Sequence, residues 1–346
     1  MFLSIIIPVL NIEKYIKRCL DSVLEACFDD CEIILVTGAS VDKSNEICDE
    51  YQSTFSNIKL VGQNGKGLSN ARNCALDVAM GKYIVYIDGD DYVDSELFRK
   101  LLETLRATWN DMDLIATDFR RIAVSSGKSD KIENVYQIGR NTEPQYGIGY
   151  LSTMLQKKHC FWNVWRYIYS REFLQQNNIR FVEGKFSEDI DYTTKVLIAR
   201  PKMVFVHCPF YYYSIGKGDS LMDCPSYKQL RDTLEFLCNS IRMLEKSSFM
   251  YSQILIGQYQ FEYILNIAII KEVPKEEIRK ARLLYKETLE ILLVGSDLTA
   301  HLVKRILHIV PLSMFAEILH RLKLFRRFIK RGSGKKQRGE YLDDNH

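Results

Sequence analysis

Apolar residues come in two rhythms along the chain. Up to about residue 90, short unbroken apolar runs alternate with stretches whose apolar positions recur every three or four residues. Phe2 to Val9 is the first run, and Glu13–Cys27 after it carries Ile16, Cys19, Leu20, Val23 and Leu24 at helical spacing. The alternation predicts further strands at Glu32–Val36, Ile58–Val61 and Tyr83–Ile87, and helices at Asp42–Thr54 and Leu68–Met80. Strands that are apolar throughout and separated by helices imply a mostly parallel α/β sheet with helices on both faces. Beyond Pro225 the helical rhythm takes over: 226–247, 251–271 and 275–294 are bounded by Ser248, Pro274 and Gly295-Ser296. The expected architecture is an α/β domain over 1–220, a helical appendage over 221–300, and basic amphipathic helices with a disordered tail over 301–346.

In sheets of this kind ligands bind beyond the carboxyl ends of the strands. The polar residues collect there: Asn11, then Thr37-Gly38-Ala39-Ser40, then Asn64-Gly65-Lys66-Gly67, then Asp88-Gly89-Asp90. In the last of these, carboxylates end an apolar strand, which costs desolvation energy unless cations or hydrogen-bond donors meet them. Asp88 and Asp90 converge on one hard divalent cation if the chain curls at Gly89, where no Cβ intervenes. By itself the pair also describes a solvated acidic turn before a helix capped by Asp94 or Ser95. Four successive strand ends delivering polar or glycine-rich residues to one rim favour a binding site. No glycine-rich dinucleotide fingerprint or P-loop follows the first strand, so a diphosphate is expected to be neutralised by a metal at Asp88 and Asp90.

A second acidic group lies at Phe186-Ser187-Glu188-Asp189-Ile190-Asp191-Tyr192. Ser187 is placed to cap a helix whose first turn holds Glu188 and Asp189, and the helix dipole favours acids there whatever their chemistry. Between the two groups, Phe161 to Tyr169 is dense in aromatic rings. Packing explains most such clusters, with stacking on a sugar as the alternative. His159 and His207 read as satisfied structural histidines rather than metal ligands.

Composition narrows the picture. The chain has 346 residues, 47% apolar and 26% charged, which suits an ordinary globular core in two domains. Nine scattered cysteines with no C-x-x-C pair and no signal-peptide pattern lead us to expect a reducing, cytoplasmic setting. Eleven Lys or Arg against four acids give residues 301–346 a charge of +7, leaving −4 on residues 1–300 of the overall +3. That asymmetry argues against a nucleic-acid-binding body and for an anionic surface met by the C-terminus. Apolar and basic residues alternate over Leu302–Lys330, a composition that favours interfacial helices at the inner face of a membrane over the alternative, a helix docked on the appendage and ending in a disordered basic tail.

Ser4-Ile5-Ile6-Ile7-Pro8-Val9-Leu10-Asn11, Gly67-Leu68-Ser69-Asn70-Ala71-Arg72-Asn73 and Ile87-Asp88-Gly89-Asp90-Asp91 together resemble the successive signatures of family 2 glycosyltransferases, over about residues 1–215. The resemblance implies the GT-A fold, a nucleotide-sugar donor, Mg²⁺ or Mn²⁺, and inverting transfer to an acceptor hydroxyl. It places Pro8, Val9, Asn11, Thr37, Asp42, Lys66, Arg72, Asp88 and Gly89 around the nucleotide-sugar. Asp90 becomes the direct metal ligand, with Asp88 beside it. An inverting transferase needs a carboxylate to take the acceptor proton; Asp189 matches that base, Glu188 a group that orients the acceptor, and Trp162 and Asn163 face the acceptor. The loop Gly216-Lys217-Gly218-Asp219-Ser220 resembles the family's flexible cover over the diphosphate.

The chain departs from the pattern after the second strand. The family usually has two aspartates, a glycine and a serine there, and this chain has Thr37, Gly38, Ala39 and Ser40. Two carboxylates that read base and ribose are absent, and the Thr37 hydroxyl is left to meet a base edge. A UDP-sugar is the favoured donor, and a glycan or lipid-linked saccharide of a capsule or exopolysaccharide the expected acceptor. A nucleotidyltransferase of related fold and a non-catalytic sugar-nucleotide binder are the alternatives.

Overall fold

The computed structural model describes residues 1–123, 131–136, 144–147, 149, 162–217 and 226–323. His159, Phe161, Gly218-Asp219-Ser220, most of the 123–145 stretch and residues 324–346 fall outside the described residues. Its contacts divide the chain into two compact units, 1–220 and 221–346.

Unit one is built on a ten-stranded sheet. Strands β1 (Leu3–Val9), β2 (Cys31–Thr37), β3 (Ile58–Gly62) and β4 (Tyr83–Tyr86) are separated by helices α1 (Ile16–Ala26), α2 (Ser44–Thr54) and α3 (Leu68–Val78). These four strands pair in parallel in the order β3-β2-β1-β4. Every residue of β4 is buried, and so are Leu3, Ile5, Ile7, Ile33 and Leu35, which explains why these strands read as unbroken apolar runs. The order reverses direction between β1 and β4, so their carboxyl ends flank the crevice in which such sheets hold ligands.

The later strands run in both directions. β5 (Tyr92–Val93) precedes α4 (Ser95–Ala107), and β6 (Leu114–Ala123), β7 (Lys131–Tyr136), β8 (Gln145–Tyr146), β9 (Tyr167–Ser170) and β10 (Met203–Ile215) follow. β9 inserts antiparallel between β4 and β6, while β10 lies parallel to β6 and antiparallel to β5. The parallel pattern expected from the sequence therefore holds in the N-terminal half, with a mixed sheet beyond. Helices α5 (Arg171–Gln176) and α6 (Glu188–Ile198) lie between β9 and β10.

Several boundaries move for local reasons. α1 begins three residues later than its apolar spacing suggests, because Ile12–Tyr15 forms a turn closed by Tyr15 N–H donating to Ile12 O, 2.9 Å. Asp94, as expected, caps α4 by accepting from Leu97 N–H at 3.1 Å. Ser187 does not cap α6 through its side chain: it sits at φ 64°, in the left-handed region, and the acids of the first turn enter the helix directly after it.

In unit two, α7 (Tyr227–Lys246), α8 (Ser252–Asn266), α9 (Ile278–Thr288), α10 (Leu298–Ile309) and α11 (312–323) follow the helical rhythm. Ser226 caps α7 and Asp297 caps α10. Among the described residues no helix is long and apolar enough to cross a membrane.

Candidate active site

The first two loops at the carboxyl rim are laced together. Asn11, at φ 54°, accepts from Val41 N–H at 2.9 Å, and its own N–H donates to Ser40 Oγ at 3.2 Å. Asp42 accepts from Glu13 N–H (3.0 Å) and from the backbone N–H and hydroxyl of Ser44 (3.0 and 2.6 Å). Burial opposes its charge, yet these hydrogen bonds hold its carboxyl below the usual range. Asp42 is thus a brace between the loops rather than a free ligand group. Val9 points its side chain into the core and offers only backbone to the rim, while Pro8 and Thr37 are half-buried and Lys66 is exposed.

Gly89 is needed for a different reason than approach to a metal. A Cβ there would lie 2.5 Å from Ile12 Cδ1 and 3.0 Å from Pro8 O, so the glycine lets the acidic turn pack directly on the end of β1. The turn itself is closed by Asp91 N–H donating to Asp88 O, 2.9 Å.

Arg72 organises the acids. It comes from α3, is 1% exposed, and its guanidinium meets carboxylates from both acidic groups. Nη2 lies 2.9 Å from Asp88 Oδ1, and Nη1 lies 2.9 Å from Glu188 Oε1 and 2.8 Å from Asp189 Oδ1. The rings of Phe181 and Tyr86 close on it at 5.2 and 5.8 Å, a low-dielectric, cation-compatible wall. Arg72, expected beside the nucleotide, is therefore committed to holding three acids around one centre. Its neighbours in the same signature serve that geometry: Asn70 and Asn73 each donate to Glu183 at 2.9 Å, and Asn73 donates to Phe181 O at 3.0 Å. These bonds fasten α3 to the segment leading into α6.

Burial sets the electrostatics. It pushes the Asp189 carboxyl up to about 6, with Arg72 pulling down and Glu188 adding to the rise. It raises Glu188 and Asp88 as well, again against Arg72. The Arg72 cation is correspondingly stabilised: burial works against it, and the charges of Asp189, Asp88 and Glu188 overcome that cost.

Asp91 and Lys217 join the acidic turn to the end of β10. Asp91 is buried and accepts from Tyr211 Oη and Ser214 N–H, both at 2.8 Å, tying β10 to the acidic turn. Burial pushes its carboxyl up to about 7, with the charge of Asp90 adding. Lys217, just after β10, places Nζ 2.5 Å from Asp90 Oδ2 and 3.2 Å from Asp91 Oδ1. The resemblance of its loop to a cover over the diphosphate placed it near this turn, but its pairing with Asp91, 126 residues away, has no local signature.

Val164 N–H donates to Asp189 Oδ2 at 3.3 Å, so Trp162 and Asn163, both half-buried, immediately precede in sequence a residue touching Asp189. Trp162 O accepts from Thr193 Oγ1 at 2.9 Å. Among the described residues of the aromatic stretch, Trp165 stacks on Tyr211 at 4.3 Å, and Tyr167 and Tyr169 are buried in the core. His207 is held by Asp118, a satisfied structural histidine. Asp191, on α6, is buried against Lys195.

Among the described residues no group of three or more His, Cys, Asp or Glu is arranged to hold a metal. Asp88 and Asp90 supply hard carboxylate oxygens at a turn already met by a cation, the Lys217 ammonium. A pair of carboxylates with the remaining ligands drawn from phosphate and water is how Mg²⁺-type ions are held in nucleotide sites. The residues fit such an ion, provided the ligand brings the other oxygens.

Comparison with known proteins gives the family and the fold. Residues 4–180 match the model described as glycosyl transferase family 2. The uncharacterized glycosyltransferase EpsJ of Bacillus subtilis is 33% identical over 66% of this chain and 65% of its own length. The glycosyltransferase GlyA of Streptococcus pneumoniae is 27% identical over 73% of this chain and 37% of its own. The chain thus spans about two thirds or less of these relatives. Among solved structures, S. aureus TarS 1–349 in complex with UDP-GlcNAc superposes with a TM-score of 0.69, covering 100% of this chain and 94% of that one at 17% identity, a likeness of fold.

Proposed function

Because this chain belongs to glycosyl transferase family 2, we propose that it transfers a sugar, with inversion, from a nucleoside-diphosphate donor to an acceptor hydroxyl. The observation that carries the reading is Arg72, whose one guanidinium contacts Asp88 on the donor side and Glu188 and Asp189 on the acceptor side. Two acidic groups more than 90 residues apart share one centre instead of opening on separate clefts.

In the proposed reaction the donor lies across the carboxyl ends of β1 and β4, with its base toward Thr37 and the rim at Pro8, Asn11 and Lys66. Mg²⁺ or Mn²⁺ at Asp90 and Asp88, when bound, would supply charge neutralisation for the departing diphosphate. Asp189 takes the proton of the acceptor hydroxyl as that oxygen attacks the anomeric carbon. A carboxylate with a pKa of about 6 is deprotonated at neutral pH and still basic enough to help. Arg72 holds its orientation, Glu188 orients the acceptor hydroxyl, and Trp162 and Asn163 flank the acceptor.

A UDP-sugar is the proposed donor. The acceptor is proposed to be a growing glycan or lipid-linked saccharide at the inner face of the cell membrane. A panel of UDP-, GDP-, CMP- and TDP-sugars with Mn²⁺, read by thermal shift and by donor hydrolysis, tests the reading. Stabilisation and turnover by one donor class support it. Binding without turnover in the presence of acceptor saccharides would favour a non-catalytic binder.

A further inference from the structure

Residues 298–323 reverse the usual order of a soluble helix pair. α10 buries Ala300 and Lys304 while its outer face carries Leu298, Leu302, Arg305 and Ile309, with Leu298 82% and Ile309 86% exposed. On a helix of 3.6 residues per turn those four positions fall within an arc of about 60°. α11 repeats the arrangement, burying Ala316 and exposing Met314, Ile318, Arg321 and Leu322. The inward sides are pinned within the same unit by the ion pairs Lys304 to Glu290, Lys271 to Glu317 and Lys323 to Glu272.

One exposed leucine needs no explanation, but three large apolar side chains exposed along one face of each of two consecutive helices are of the kind that meets a partner. Charge identifies the partner. Residues 301–346 carry eleven Lys or Arg against four acids, seven of the eleven beyond residue 323, and on the described helices Arg305 and Arg321 lie beside the apolar stripe, Arg321 also paired with Glu317. Two copies meeting through this region would bring like charges together, whereas an anionic bilayer offers acyl chains to the aliphatic stripe and headgroups to the arginines. We propose that the outer faces of α10 and α11 are a membrane-docking surface selective for anionic lipid. The inference stands apart from the catalytic reading, since docking needs no donor.

Sedimentation of the full chain with phosphatidylcholine vesicles, with and without phosphatidylglycerol, tests it. Binding is expected only to the anionic vesicles and is expected to weaken as salt rises. The double variant Leu302→Glu with Ile309→Glu should partition about tenfold less or worse while keeping its circular dichroism spectrum. Should that variant unfold, Arg305→Glu probes the same face. Equal sedimentation of a folded face variant and the wild type overturns the proposal. Equal binding to both vesicle types overturns it too. A wild-type chain that ignores both vesicles but dimerises with concentration would assign the face to self-association and likewise overturn it.

Discussion

Arg72 Nη1 lies 2.8 Å from Asp189 Oδ1 while Nη2 of the same guanidinium lies 2.9 Å from Asp88 Oδ1. One buried cation therefore spans the carboxylate proposed to face the donor and the one proposed to deprotonate the acceptor. Three acids draw on a single positive charge that no solvent reaches, so the site's integrity and its pH response both depend on Arg72.

Replacing that cation should be costly. In Arg72→Met, three carboxylates are left without their buried partner, and breaking such a set is expected to cost about 3–5 kcal/mol near neutral pH. Chemical denaturation at two pH values checks the cause. Without the cation the acids protonate more readily, so the deficit should shrink at pH 5 relative to pH 7; a deficit that does not change would point to lost packing alone.

The pH–rate profile should carry a limb near 6. Asp189 is raised to about 6 by burial, and a base works only when deprotonated, so the rate should rise with pH through that value and level off above it. The sign for stability is opposite. A carboxyl whose folded pKa lies above its unfolded one binds protons preferentially in the fold, so Asp189, and Asp91 at about 7, favour the folded chain in mild acid. That contribution fades as pH rises through these values. Initial rates and melting temperatures across pH 5 to 8 should therefore move in opposite directions.

Lys217 should compete with a divalent ion for Asp90, because its Nζ sits 2.5 Å from Oδ2. Removing it in Lys217→Ala should tighten Mn²⁺ binding by the nucleotide-free protein by about fivefold, the equivalent of a partly exposed ion pair worth ~1 kcal/mol. Electron paramagnetic resonance titration of free Mn²⁺ reads this without turnover. Weaker binding in the variant would mean that the lysine does not stand where the ion enters.

The sequence made β1 to β4 readable because strands buried on both faces leave an apolar run, and helices between them leave a period of 3.6. It could not reveal the antiparallel β9, since direction is decided by pairing and not by composition. Ser187 looked like a cap because its residue type is right, but its backbone is left-handed. Asp42 and Val9 were legible as rim positions, while their commitments to a loop brace and to the core needed coordinates. Most telling, Arg72 meets acids 116 and 117 residues away. No local spacing encodes such a contact, although a charged residue within the buried run Ser69–Ala75 of α3 is one that must have partners.

The most direct test of the account is Asp189→Asn, assayed for sugar transfer and for donor binding side by side. The variant should bind the nucleotide-sugar as the wild type does and transfer it about 10²–10⁴-fold more slowly, the loss expected when a general base is removed. Transfer above about a tenth of the wild-type rate would contradict the assignment of the base, and with it the single shared centre built around Arg72.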